Sequence, residues 1–309
     1  MKIAITVPSL NSINTNQDGQ NIQGDEMIAR SWKKYIELSS DIEVTLFNGH
    51  EGEKSGFDHV IHFSILYNNW PNINNILYFQ NVFPPESWPG GTIGQFNIHK
   101  HKYNNFIFTS HKLQEHCNTD GLVIQFAVDP DIYKPTYGNG YNHTISFVGN
   151  AIRGPIVNSK YIEPALSRDL AIYGSGAGWP SNYSSCLKGK ISQIPDESIL
   201  YTQSKINLNC HINEHIIHDT INYRIYCILA CGGVIITDTT PSLENHFSNY
   251  VTFTTGNNDL IKTIDDVLNN YDKHKIRAEL GKEYVLKSHT FSSRMPDLIS
   301  YIKRITHVN

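Results

Sequence analysis

Residues 219–238 read DTINYRIYCILACGGVIITD, and this stretch sets the architecture of what surrounds it. Ile221, Ile225, Ile228 and Leu229 recur at i, i+4, i+7 and i+8, one buried face of a helix. Asp219 or Thr220 supplies an oxygen to cap the first turn, and Gly232-Gly233 ends the helix where positive φ is easy. VIIT then reads as a short buried strand, since a continuous β-branched run suits a parallel sheet covered on both faces. Upstream, KINLNCH (Lys205 to His211) reads as another strand, followed by the polar loop INEHIIH. A loop leading into a helix N-terminus presents free backbone N–H groups, a natural seat for a phosphate.

Working outward, the same strand–helix alternation fills both halves of the chain. KIAITVPS opens as a buried strand, residues 11 to 24 form a polar loop, and a helix starts near Gly24-Asp25 with Met27, Ile28, Trp32, Tyr35 and Ile36 as its apolar stripe. IEVTLFN, DHVIHFS and NILYFQN are strands, followed by the long Pro- and Gly-bearing loop VFPPESWPGGTIGQFNIHKHK. Such loops inside compact domains are usually functional or disordered. NNFIFTS, helix HKLQEHC and GLVIQF complete the first half, and AVDPDIYKPTYGNGYN is the linker. From about residue 143 the alternation restarts with HTISFVGN, NSKYIEPALS, DLAIYG and ESILYTQS, and three helices end the chain. The pattern predicts an α/β protein with two Rossmann-like, doubly wound domains facing a cleft.

Composition agrees with two packed domains. The chain has 309 residues, 39% hydrophobic and 11% aromatic, so disorder is excluded. A net charge of −4 offers no global attraction to nucleic acid or anionic lipid. MKIAITVPSLN is too short an apolar run for a signal peptide or membrane span. Five cysteines with no C-x-x-C pair suit a reduced, cytosolic setting, with contact at the inner face of the membrane left open.

INYRIYCILACGGVIITD resembles the helix-and-strand signature of the group 1 glycosyltransferase superfamily. It is most similar to the branch of spore-maturation-protein-like glycosyltransferases, whose pattern is roughly Asn-x-Arg-x-Phe-Glu-Ala-x-Ala-Cys-Gly-Gly. AVDPDIYKP (127–135), ISFVGN (145–150), LAIYGSGAGW (170–179) followed by LKGKI, and SHTFSSRM (288–295) agree in the expected order. The resemblance spans roughly residues 125 to 300. It implies the GT-B fold, with an acceptor-side Rossmann-like domain (1–135), a nucleotide-sugar-binding domain (136–290) and a final helix (291–309) crossing back to the first. It implies metal-independent transfer of a sugar, as in polysaccharide biosynthesis, from a nucleotide-sugar co-substrate to a glycan, glycolipid or other acceptor, with no further cofactor and no nucleic acid partner.

The resemblance also implies roles for particular residues. Gly149-Asn150 ends a strand where ligands of open α/β sheets sit, and Arg153 follows at a reach suited to a diphosphate; an ordinary turn with a solvated arginine is the bland reading. Tyr173, Gly174, Lys188 and Gly189 lie where relatives hold the donor's base, while Lys190 reads as a solvated charge. Relatives carry two glutamates eight positions apart, near the donor sugar and the ribose. Here those positions are Asp219 and Cys227, and a thiol cannot accept two ribose hydrogen bonds as a carboxylate does. This departure motivates a second reading, a nucleotide-sugar-binding module without catalysis. Thr220, Asn222 and Arg224 complete the donor set, with Arg224 the expected phosphate or sugar partner. In the first half, Asp18 and Asp25 flank the presumed cleft. Asp25 either caps its helix or serves as the general base an inverting transfer needs. Phe83, Trp88 and Phe96 either stack on sugars or pack within their loop. His211-Ile-Asn-Glu214-His215 has the H-x-x-E-H spacing of inverted zinc peptidases, but a strand end and weak helix formers disfavour that zinc hydrolase reading. A donor contact for His211 or His215 is the better expectation. Cys227 and Cys231 share a helix face as buried small residues.

Overall fold

A computed structural model describes residues 1–8, 10, 24–191 and 194–306. Among them, twelve strands form two six-stranded parallel sheets. The first uses β1 (Lys2–Val7), β2 (Glu43–Asn48), β3 (His59–His62), β4 (Asn74–Phe79), β5 (Asn105–Phe108) and β6 (Leu122–Val123), in spatial order β2-β1-β3-β4-β5-β6. The second uses β7 (Ile145–Val148), β8 (Leu170–Tyr173), β9 (Leu187–Gly189), β10 (Ile206–Asn209), β11 (Ile235–Thr237) and β12 (Thr252–Phe253), in order β12-β11-β10-β7-β8-β9. The chain winds outward in both directions from β7 and β10, so the order reverses between them. Loops there diverge to opposite faces and leave a crevice at the strands' carboxyl ends.

The helices follow the apolar stripes. α1 (Gly24–Ser39) buries Met27, Ile28, Trp32 and Ile36, with Trp32 edge-on to Phe63 at 5.2 Å and tilted on Tyr78 at 4.6 Å. α2 (Gly91–His99) and α3 (His111–Cys117) complete the first lobe. Ser110 caps α3 by accepting from Leu113 N at 3.0 Å. In the second lobe come α4 (Pro155–Tyr161), α5 (Ile194–Gln203), α6 (Asn213–Ile217), α7 (Tyr223–Ala230), α8 (Pro241–Phe247), α9 (Asn257–Asn269) and α10 (Tyr271–Ser288).

The stretch that anchored the sequence reading becomes α7 and β11, with two differences. Its helix starts four residues later than Asp219, and Asn222, not Asp219 or Thr220, is the N-cap. Asp219 sits at φ 51 and accepts from Ser242 N (2.8 Å) and Ser242 Oγ (2.7 Å) in the first turn of α8, whose N-cap is Thr240. Gly232 takes positive φ (69) at the helix end, as expected. A Cβ on Gly233 would lie 2.7 Å from Asn207 Nδ2, Ile228 Cγ2 and Tyr201 O, so only glycine lets α7 pack this close to α5 and β10.

The chain crosses between lobes twice, side by side: Val128 N donates to His289 O (3.0 Å) and Phe291 N to Val128 O (3.0 Å). After the second crossing, α11 (Phe291–Thr306) buries Met295, Leu298 and Ile302 in the core that also holds Trp32 and Ile36. Tyr301 OH donates to Phe106 O at 3.1 Å. The last helix therefore packs on the first lobe.

Candidate active site

Between the lobes lies a cavity of about 780 Å³, within the range that holds a small organic ligand. From the first lobe, Asp25, Met27, Ile28 and Gln80 reach it; Phe126 and Tyr133 of the crossing segment form one side. From the second lobe, Val148, Gly149 and Asn150 at the end of β7 face it, together with His215, Asn222, Tyr223 and Arg224 after β10. The cavity thus occupies the switch point where topology requires a crevice. Tyr173, Ser175, Lys190, Ile191 and Glu197 close the remaining wall.

Of the residues proposed from sequence, Asp25, Gly149, Asn150, Tyr173, His215, Asn222 and Arg224 line this cavity. Asp18 falls outside the described residues. The rest have other surroundings. Lys188 is exposed and donates to Ser185 O at 3.4 Å, and Gly189 O accepts from Gly174 N at 2.8 Å. A Cβ on Gly174 would come 2.1 Å from Gly149 O, so Gly174 shapes the cavity by letting two loops touch. Thr220 is buried against Thr109 and Ser110 of the first lobe, at 3.5 Å from each hydroxyl. Asp219, bound to the first turn of α8, is absent from the cavity wall. Cys227 is buried, and burial and the neighbouring Glu197 push its thiol well above the ordinary range.

His211 is buried completely. Its Nδ1 lies 2.6 Å from Asp238 Oδ1, its backbone N–H donates to Asp238 Oδ2 (2.9 Å), and its Nε2 accepts from Asn222 N (3.3 Å). The imidazole thereby takes an N–H at the mouth of α7 that no side-chain cap satisfies. Burial works against the Asp238 carboxylate, yet His211 and these hydrogen bonds hold its pKa below the usual value. Both ring nitrogens of His211 are thus engaged, and His211 precedes α6, so H-x-x-E-H does not present two imidazoles to one ion as a zinc peptidase helix does. His215, edge-on to His211 at 6.1 Å, does line the cavity, and its Nδ1 is buried without a hydrogen-bond partner.

Positive charge dominates the second lobe's side. Arg224 Nη1 donates to Asn209 Oδ1 at 3.3 Å. Arg153 stands behind Gly149, where a Cβ would come 2.6 Å from its Nη1. It lies over the Phe147 ring at 5.0 Å and donates to the carbonyls of Cys210 (3.2 Å) and Asn150 (3.0 Å). Neither arginine forms an ion pair with a carboxylate among the described residues. Burial and the nearby Arg224 bring Arg153 down to about 10. Burial, then His211 and the two arginines, holds His215 neutral, well below its ordinary value. Across the cavity, burial raises the Asp25 carboxyl to about 6, a hydrogen bond with Gln80 offsetting part of the shift.

The sequence reading missed Glu197, Phe126, Tyr133 and Tyr223, and it took Lys190, which lines the cavity, for a solvated charge. Tyr133 is edge-on to Tyr223 at 5.9 Å, and Phe126 lies 6.1 Å from Tyr223, an aromatic wall inside the cavity. Phe83, Trp88 and Phe96 instead pack with one another and with Phe79 and Phe108 within the first lobe.

Residues 158–300 match the family model described as "Glycosyl transferase-like". No curated protein sequence matches the chain. Among solved structures, the chain is similar to sucrose-phosphate synthase from Thermosynechococcus elongatus, with TM-score 0.71 and 10% identity over all of both chains. It is similar to HepE from Anabaena in complex with UDP-glucose, with TM-score 0.68 and 9% identity over 98% of this chain and 100% of that one. A third is AviGT4, a glycosyltransferase involved in avilamycin A biosynthesis, with TM-score 0.66 and 12% identity over 100% of this chain and 98% of that one. The two parallel-sheet lobes and their cleft are the GT-B fold.

Proposed function

We propose that the protein transfers a sugar from a nucleotide-sugar donor to an acceptor hydroxyl without a metal ion. The observation that carries this reading is the cluster of Arg224, Arg153 and His215 at the mouth of α7, whose guanidiniums form no ion pair with a carboxylate among the described residues. A dianionic leaving group is the ligand that such a wall suits. The match of residues 158–300 to a glycosyl transferase-like family and the similarity to HepE with UDP-glucose bound support it.

In this reading residues 136–290 hold the donor and residues 1–135 present the acceptor, braced by residues 291–309. The diphosphate lies at the N-terminus of α7, where backbone N–H groups and the helix dipole favour negative charge. As the acceptor oxygen attacks the anomeric carbon, the bond to the diphosphate oxygen breaks. Arg224, with Arg153 behind it, stabilises the charge that develops there. Asp25 faces this wall from the other lobe and, ionised above about pH 6, accepts the proton of the attacking hydroxyl. The resemblance to spore-maturation-protein-like glycosyltransferases supports a glycan, glycolipid or protein acceptor.

Titration calorimetry with UDP, GDP, UDP-glucose and GDP-fucose in the presence of EDTA tests the proposal. Binding of at least one is expected; failure of all four rejects it. The buried thiol at Cys227 favours a second reading, a binding module without catalysis. Donor binding with neither transfer nor slow hydrolysis across an acceptor panel would select that reading.

A further inference from the structure

The lobes also meet at a polar contact that the mechanism above does not use, between α3 of the first lobe and the turn after α6 of the second. His116 Nδ1 lies 2.9 Å from His218 Nδ1, the rings edge-on with centroids 5.0 Å apart. Beside them Ser110 Oγ donates to His218 O. The other ring nitrogen of His218, Nε2, lies 3.3 Å from Glu214 Oε2, and both side chains are buried. A carboxylate only accepts, so His218 Nε2 carries the proton, its Nδ1 is the acceptor, and His116 Nδ1–H is the donor. A proton added to His116 leaves that bond in place. A proton added to His218 Nδ1 removes the acceptor and sets two donors against each other.

Burial holds His218 below its ordinary pKa; Glu214 acts against burial, and His116 acts with it. His215, on α6, is itself held neutral, and on α3 Lys112 pairs with Glu115 at 3.2 Å. His218 N donates to Glu214 O (3.1 Å) and Thr220 N to His215 O (2.8 Å). His218 is thereby tied to the segment that carries His215 and leads to Asn222, both of which line the cavity. The first lobe thus holds one wall of the second lobe's site. We propose that His116 is a positioning residue: through His218 it fixes the α6 turn in the donor-binding arrangement, and protonation of His218 releases that turn, so acid loosens the donor site. This rests on the nucleotide-donor reading above.

Calorimetry with UDP and GDP in EDTA, from about pH 7.5 down to about pH 4.5, is run on the wild type, His116→Ala and His116→Gln, with circular dichroism to verify folding at each pH. A side-chain amide donates to neutral His218 and, turned over, accepts from its protonated form, so glutamine keeps the contact where histidine loses it. At neutral pH the Kd of His116→Ala is expected to rise about three- to tenfold, the worth of one hydrogen bond that orders a binding loop, while His116→Gln stays within about twofold of wild type. In acid the wild type weakens to the level of His116→Ala and His116→Gln does not. Protonation of the ligand's phosphates is common to all three proteins and cancels in the comparison. A His116→Ala Kd equal to wild type at neutral pH, or an acid dependence that the wild type shares with His116→Gln, overturns the inference while leaving the donor reading standing. Absence of any nucleotide binding to the wild type overturns both. Should one variant fail to fold, the other still decides, and the bond itself is read on wild type carrying nitrogen-15 histidine. A scalar coupling between the two Nδ1 atoms that is present at neutral pH and lost in acid supports the inference; its absence at neutral pH overturns it.

Discussion

Replacing Arg224 by alanine separates a ligand-binding arginine from a structural one. In the resting site its guanidinium donates a long hydrogen bond to Asn209 Oδ1, which also accepts from Asn222 Nδ2 at 3.1 Å. Losing one such bond costs about 1 kcal/mol or less, because Asn209 keeps its other partner. Removing the charge also relieves Arg153, which burial and, after it, Arg224 hold below its ordinary pKa. The two effects oppose, so the stability of Arg224→Ala stays within about 1 kcal/mol of wild type. Binding behaves differently. A charge-assisted hydrogen bond to phosphate contributes about 1.5–3 kcal/mol, so the Kd for UDP or GDP rises roughly 10- to 150-fold. Urea unfolding and calorimetry in EDTA measure the two quantities on one preparation. An unchanged Kd, or a stability loss above about 2 kcal/mol, would show that Arg224 holds the loop after β10 together, and the diphosphate site would have to lie elsewhere.

Further consequences concern other parts of the cleft. Asp25 has a folded-state pKa near 6, raised by burial above the ordinary 3.8 of an aspartate, so folding stability falls as pH rises between about 4 and 6 and is level above that. Asp25→Asn should gain about 1 kcal/mol at pH 7.5 after allowance for solvent screening, gain little at pH 4, and lose transfer; a variant with wild-type turnover would remove Asp25 from catalysis. Gly174→Ala places a Cβ 2.1 Å from Gly149 O and 3.0 Å from Asn150 Oδ1. We expect a loss of about 3 kcal/mol in chemical denaturation together with weakened nucleotide binding, and unaltered stability would contradict the contact between the two loops. His211→Ala removes the Nδ1 donor to the buried Asp238 carboxylate, leaving it the backbone N–H of residue 211 and Thr237 Oγ1, and should cost about 1.5–3 kcal/mol; thermal unfolding that matches wild type would refute the pairing.

Much of this was legible in the sequence, for identifiable reasons. Continuous apolar runs and period-3.6 apolar patterns reflect burial, and burial is what builds the two sheets, so strands such as KIAITV and the stripe of α1 could be read directly. α2 could not. It starts from Gly90 in the left-handed region with no side-chain cap, and Gly94 sits where a Cβ would lie 3.0 Å from Pro89 O. Tertiary contact builds this helix where local signals read as a loop. Likewise α6 forms in the polar segment after β10, and the edge strand β9 is only three residues long. The site divided along similar lines. Gly149, Asn150 and Tyr173 end or follow strands, and Asn222 and Arg224 belong to the α7 signature, so position in the fold announced them. Lys190 belongs to LKGKI but reads as a solvated charge, and Glu197 belongs to no motif. A glutamate four residues before a tyrosine on a helix is a common surface pattern, and nothing local says that Tyr133, 64 residues earlier, closes on it.

Charge placement links these residues into one argument about purpose. A folded chain optimised for stability alone would pair Arg153 and Arg224 with carboxylates, because buried unpaired charge is costly. Here the two carboxylates that reach the cavity, Asp25 and Glu197, are held instead by Gln80 and by phenols, and the guanidiniums by carbonyls and an amide. Each charged group rests on neutral partners. Such a site suits a ligand that brings phosphate to one wall and hydroxyls to the others. It follows that substitutions removing any one of these charges should cost binding more than folding.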